Sequence, residues 1–333
     1  MSAAARSPGA RSRSWLRPLA SLALTAILCF LLLRRVDVRE LADWLLRVDP
    51  RYYAGYVGLA VAGLLARSWR YQILIGRWVG FWPIVLVTAA RNFLVDLLPA
   101  RIGSLSYVYL LTRRFGVPLE PVLSSFVLTF LYDLLAMTLL VGIALVLQLG
   151  RFESMIALGF ITALLGVVVL AVFLEIGRVL RLVAGWLRGH GRGEALAARL
   201  EETAREVSRS GGRTTMSALL ALSVAIRLLK FGAYWALLLG VVREHDLGAS
   251  DLPFWTVFLG IAGAELSATL PIHGVAGFGT YETAWTLGFE RLGLSSRVAI
   301  LSGFATHLLS QIYDYSVGLV ALALAMARSR RPG

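Results

Sequence analysis

The stretch ELSATLPIHGVAGFGTYE, residues 265–282, decides how this chain is read. It lies where the surrounding sequence is apolar. Yet it carries Glu265, Glu282, His273, a helix-breaking Pro271, and glycines at 274, 277 and 279. A backbone in hydrocarbon must satisfy its own hydrogen bonds, so a broken helix persists there only when buried in protein or lining a wet cavity. Ionisable groups at that depth are costly and point to function. The plain alternative is a surface loop between two spans.

Composition sets the solvent. Hydrophobic residues make up 58% of the 333, and mean hydropathy is +0.72. Apolar usage in soluble domains is roughly 45–50%. Runs such as 18–33, 155–174 and 316–327 are nearly free of charge, long enough to form parts of spans of about 20 residues. The fold class is therefore an all-α polytopic membrane protein. The net charge of +13 comes from arginines at the ends of apolar runs, where the positive-inside rule places them. That distribution excludes nucleic acid as the partner. Cys29 is the one cysteine, so no intrachain disulfide forms. The N-terminus (Arg6, Arg11, Arg13, Arg17, then an apolar run) imitates a secretory signal, but the run continues past Cys29 and reads as an uncleaved first span.

In chain order, residues 1–14 read as a disordered basic tail and 15–328 as one integral membrane domain. Asp37 and Glu40 predict an N-cap and N3 pair. Val38, Leu41, Leu45 and Val48 then recur at helical spacing, as an interfacial amphipathic helix or a plain connector. Residues 52–66 read as span two, with Arg67, Arg70 and Arg77 behind it. Residues 81–98 contain Arg91, Asn92 and Asp96 and end at Pro99; Arg101, Gly103 and a short apolar stretch to Thr112 follow. Residues 121–149 form a long span holding Asp133, and 155–174 a clean one. Residues 175–213, with eight arginines against five acids, form a cytoplasmic polar segment containing a helix over 194–208. Residues 214–242 carry Arg227 and Lys230, and 298–327 carry His307, Gln311 and Asp314.

Charge decides the topology. If 81–112 and 254–290 each dip in and return, every strongly basic segment falls on one side. The expectation is six full spans plus two re-entrant broken hairpins. Both termini are cytoplasmic, in the inner (cytoplasmic) cell membrane. In each half a broken element precedes a span with an interior Tyr-Asp pair: Pro99 before Tyr132-Asp133, Pro271 before Tyr313-Asp314. The halves, about 81–149 and 254–327, then form an inverted repeat, and such paired interruptions point to a transporter's midplane site.

The same residues resemble the flippase-like transmembrane region of lysylphosphatidylglycerol synthases (multiple peptide resistance factor). The family pattern of Asn, then Leu-Pro-x-x-x-Gly, resembles Asn92 followed by Leu98-Pro99-Ala100-Arg101-Ile102-Gly103. Asp133 matches a later Asp, and Glu265, Pro271, Gly277, Gly279 and Glu282 match a Glu…Pro…Gly-x-Gly-x-x-Glu signature. The resemblance spans about 15–328. Two departures stand out: Tyr281, and Ser106-Tyr107, occupy places where relatives often carry Arg, which implies a different headgroup choice. The resemblance implies movement of a phospholipid or lipid-linked molecule between leaflets. The chain ends at Gly333, before the soluble aminoacyl-transferase domain of bifunctional relatives, so no enzyme activity is expected.

A translocase must seat a polar, anionic headgroup at the midplane, where Arg grips phosphate bidentately and helix N-termini add N–H donors. The expected headgroup contacts are Arg91, Asn92, Arg101, Gly277, Gly279 and Glu282. Asp96, Asp133, Glu265, Asp314, Arg227 and Lys230 are expected to balance charge or couple to protons. The plainer reading has Arg91 paired with Asp96, Arg101 snorkelling, and Arg227 and Lys230 paired with Asp133 or Glu265. His273 and His307 lack metal-ligand spacing. Gly277-x-Gly279 lacks the Lys and strand context of a nucleotide loop. No metal or cofactor is expected. The alternative of a different class is a non-transporting membrane subunit or scaffold that docks a glycosyltransferase or lipid-modifying enzyme through 175–213.

Overall fold

The computed structural model describes residues 27, 29–32, 34, 37–97, 103–148, 154–189, 193–209, 213–267 and 277–327. Among them the regular elements are all helices. The tail 1–14, most of the first span, Pro99, Arg101, Gly211-Gly212, Pro271, His273 and Gly274 lie outside the described residues. Three helical stretches, Leu119–Leu147, Met216–His245 and Ser296–Ala327, are long and apolar enough to cross a membrane.

Helix α1, Val38–Leu46, starts where Asp37 accepts the Arg39 N–H at 2.8 Å. Glu40 does not complete that cap; it makes a bidentate bridge to Arg297. The apolar side of α1 faces protein: Leu41 and Trp44 are buried, and Trp44 stacks on His245 at 4.1 Å. Helix α2, Pro50–Ile75, starts with Asp49 capping the Arg51 N–H at 2.9 Å and Pro50 in its first turn, a position that loses no hydrogen bond.

α2 corrects the sequence reading. The helix continues nine residues past Ala66, and Arg70 is fully buried, not flanking a span. The physical reason is its partner on another helix, described below. A signal was present: 52–66 spans about 22 Å at 1.5 Å per residue, short of the roughly 30 Å hydrocarbon layer.

Helix α3, Phe81–Leu97, is followed by the five-residue α4, Leu105–Tyr109, which runs into a π-helical turn, Leu110–Arg114. A Cβ at Gly103 would overlap the Leu94 carbonyl and the Val95 amide, so the chain returns directly against α3. Helix α5, Leu119–Leu147, and helix α6, Ser154–Gly189, run antiparallel. α6 reaches well beyond the expected 155–174. Helix α7, Glu194–Arg209, folds back on it, held by Arg188 to both oxygens of Glu201 at 2.6 and 2.9 Å. That bond keeps the exposed Glu201 carboxyl below its ordinary value.

Helix α8, Arg213–Val242, packs along α2. Helices α9, Phe254–Ser267, and α10, Thr280–Arg291, pack on each other. Their 14 and 12 residues give lengths of about 21 and 18 Å. Gly260 lets them close: a Cβ there would meet the Phe289 ring at 2.9 Å. Helix α11, Ser296–Ala327, packs against α10 through Gly303 on Trp285, and against α3 through Gly318 on Phe93.

Candidate functional site

Six helices bring ionisable and polar side chains into one interior region. α2 supplies Arg67 and Arg70, α3 Arg91, Asn92 and Asp96, and α5 Asp133. α8 supplies Arg227 and Lys230, α9 Glu265, and α11 Asp314. A buried cation is tolerable only with close partners, and the geometry supplies them.

Arg70, with its side chain 0% exposed, donates from Nη1 to Asp133 Oδ1 and to Ser223 Oγ, each at 2.7 Å. Arg227 Nη2 stands 3.5 Å from the other Asp133 oxygen. Arg67 donates to Asn92 Oδ1 at 3.1 Å, linking α2 to α3. Asp133, Arg91 and Arg70 all lie within electrostatic reach of Arg67. Around Asp133 the cations outnumber the carboxylate. Donors remain in reserve: Arg70 Nε and Nη2, Arg91 Nε and Arg227 Nε are buried without a hydrogen-bond partner. This is the basic pole.

A second pole is acidic and lined by tyrosines. Lys230 Nζ lies 2.6 Å from Glu265 Oε1. Asp314 sits within electrostatic reach of Asp96, Lys230 and Arg67. The Tyr56 ring meets Tyr234 and Tyr313 edge-on, with centroids 6.1 and 5.7 Å apart. Tyr234 in turn faces Asp314, Glu265 and Asp96. Side chains of Asp133, Arg227, Lys230 and Glu265 keep 20–31% of their surface open, in contrast to Arg70.

The broken element has its own network. Gly277 and Gly279 take φ of 81° and 85°, which only glycine adopts freely. This backbone turns into α10, where Glu282 accepts the Gly279 N–H at 2.7 Å. The other Glu282 oxygen meets His307 Nδ1 at 2.5 Å, and Gln311 Nε2 meets His307 Nε2 at 2.8 Å. With Gln311 donating to Nε2, the network assigns the proton to Nδ1. Phe278 and Tyr281 flank the imidazole, at 4.5 and 4.7 Å between ring centroids.

Glu282, expected to touch substrate, is fully buried with both oxygens engaged, and the Gly279 N–H is taken by it. Replacing Glu282 by Ala leaves His307 and the first turn of α10 unpaired, an expected loss of about 1–3 kcal/mol. The double variant with His307→Ala should cost little more than the worse single one, because the two residues form one network. Thermal unfolding in detergent checks both.

Arg91, Asn92, Asp96, Asp133, Arg227, Lys230, Glu265 and Asp314 therefore come together, while Arg101 lies outside the described residues. Arg67, Arg70 and Ser223 join them unforeseen. Arg67 and Arg70, three apart on one helical face, carried the signal. Among the described residues no group of three or more His, Cys, Asp or Glu could hold a metal.

A helical membrane protein with a two-poled polar interior is the class that fold and site define. The chain belongs to the family described as the lysylphosphatidylglycerol synthase transmembrane region, whose model matches residues 19–318. The ordered motifs from Asn92 to Glu282 resemble that same family. Membership places it among membrane proteins of lipid metabolism or transport. No curated protein matches the chain.

Proposed function

We propose that the protein is a lipid translocase, carrying a phospholipid or lipid-linked polar molecule with an anionic headgroup between leaflets, and that it performs no lipid synthesis. One observation carries this reading: buried guanidinium nitrogens of Arg70, Arg91 and Arg227 that have no hydrogen-bond partner among the described residues. Phosphate oxygens match the guanidinium fork in charge and geometry. In this reading a headgroup enters the basic pole through Arg67, Arg91 and Arg227 while its acyl chains stay in lipid. Asp133 and Glu265 offset part of the positive charge that the site would otherwise hold.

The topology that suits this role has six full spans and two re-entrant pairs in opposite orientation, both termini cytoplasmic, in the cytoplasmic membrane. Two features support it: α9 and α10 are each shorter than the hydrocarbon layer, and α4 returns tightly on α3. The second reading, a non-transporting subunit for a glycosyltransferase or lipid-modifying enzyme, draws on the close Arg70–Asp133 and Lys230–Glu265 pairs, which a static scaffold would also contain.

Reconstitution separates the two. Vesicles carrying the protein and fluorescent phosphatidylglycerol are expected to expose inner-leaflet label to an external reductant. Arg91→Ala and Arg227→Ala should slow that exposure at least tenfold while leaving yield and thermal midpoint near those of the parent. Vesicles in which no labelled lipid moves, with or without a proton gradient, count for the scaffold.

A further inference from the structure

We infer that the headgroup whose phosphate enters the basic pole also carries an ammonium group on a short carbon link, and that the tyrosine-lined acidic pole seats it. The inference rests on the translocase reading for the phosphate and adds the amine. Phosphatidylethanolamine is the chemical type.

Charge is the first reason. Among the described residues the acidic pole sets Asp96, Glu265 and Asp314 against Lys230, and Lys230 is engaged by Glu265 at 2.6 Å. Asp314 makes no hydrogen bond or ion pair among the described residues. Lys230 and Arg67 reach it only at longer range. Carboxylates gathered in a low-dielectric interior take up either a proton or a cation.

Two hydroxyls favour the cation. Tyr281 is only 7% exposed and faces Glu265 and Tyr234, yet its Oη has no hydrogen-bond partner among the described residues. The Oη of Tyr313, within reach of Asp314, is likewise buried and unpartnered. A buried polar atom left so is costly, and an ammonium brings three N–H donors that hydroxyl and carboxylate oxygens accept. Rings complete the seat. Tyr56 meets Tyr234 and Tyr313 edge-on, and all three lie within electrostatic reach of Asp314. Aromatic rings hold amine cations by their faces. A bare metal ion fits less well, because among the described residues no three His, Cys, Asp or Glu groups converge on one point.

Spacing sets the link. Asn92 belongs to the basic pole and Asp96, further along α3, to the acidic one, an axial offset of about 6 Å. Arg227 and Lys230 on α8 repeat that offset at about 4.5 Å. Arg67 joins the poles, donating to Asn92 and reaching Asp314. A phosphorus and an amine nitrogen joined through two carbons are separated by four bonds of about 1.5 Å, which covers the same offset.

The test reads binding, so it does not depend on movement. The full chain in detergent is offered equimolar short-chain phosphatidylethanolamine and phosphatidylglycerol with matched acyl chains, and bound lipid is counted by native mass spectrometry. The amine lipid should be favoured about fivefold, the scale of one partly desolvated cation–ring contact. N-acetylation of the amine, which removes its charge, should abolish that preference. Asp314→Asn should bring the ratio close to one, and Tyr281→Phe, which deletes only an oxygen, should lower it. Equal binding of the two lipids by the parent, or an undiminished preference for the acetylated lipid, overturns the amine and leaves the phosphate site standing. Failure of both lipids to bind overturns the translocase reading as well. Soluble phosphoethanolamine that displaces the lipid at equal concentration supports the paired recognition, and counts against a lipid as its source.

Discussion

Arg70→Ala is expected to destabilise the protein by about 3–5 kcal/mol, the cost of leaving a buried charge without its partner. The residue is fully enclosed and spends one nitrogen on both Asp133 and Ser223. Its loss leaves Asp133 with Arg227 at 3.5 Å and the more distant Arg67, and empties a large volume between α2, α5 and α8. Asp133→Ala should be comparably damaging, because it leaves Arg70 and Arg227 facing each other. The double replacement Arg70→Met with Asp133→Leu tests whether the pair or the space matters, since apolar groups of similar volume often replace a buried ion pair at little cost. Recovery of most of the lost thermal midpoint in the double variant is the expected outcome. Singles that simply add would show that the two side chains are not coupled. Transport should stay impaired in the double variant, because the Arg70 donors and the carboxylate that positions Arg227 are gone while the fold is restored.

Gly318→Leu should have the second largest effect. A Cβ at this position would overlap the Cβ of Phe93 and stand 3.1 Å from the Ala89 carbonyl oxygen, so backbone on both helices must retreat. Overpacking of a tight site costs about 1–3 kcal/mol, and a full leucyl group at a backbone contact belongs at the upper end. The displacement would also move Asn92 relative to Arg67 and Asp96 relative to Asp314, since Asn92 and Asp96 ride on α3 while Arg67 is on α2 and Asp314 on α11. Both stability and transport should fall. Gly263→Ala is the matched control: its Cβ would meet nothing within 4 Å, and exchanging a helical glycine for Ala should gain about 0.5–1 kcal/mol. If both variants unfold at the parent's temperature, the α3–α11 contact is not the tight joint described.

Much of this was legible in the residues. Hydropathy located the long helices, and the short helices α4, α9 and α10 flank in sequence the stretches that hold Pro99 and Pro271. Arg227 and Lys230, three apart on α8, point toward Asp133 and Glu265 because a low-dielectric interior has no cheaper arrangement for them. Two matters were hidden. A hydropathy profile treats any arginine as the end of a span, which puts Arg67 and Arg70 at the interface; for Arg70 only the partner on α5, 63 residues away, reverses that. From sequence, Glu282 reads as a ligand group beside the glycines at 277 and 279. Periodicity cannot show that those glycines place an N–H where its own carboxylate closes the first turn of α10, nor that His307 arrives from α11 to complete the set.

The contact between α3 and α11 also has a bearing on biosynthesis. Leu97 and Ser296 are separated by nearly two hundred positions in the chain, which a ribosome needs roughly 10–40 s to deliver at 5–20 residues per second. Throughout that interval Arg91, Asn92 and Asp96 wait in or beside the bilayer without the helix that later covers them. The nascent amino-terminal half is thus a dependent intermediate, one that insertion machinery must shelter until the last helix emerges.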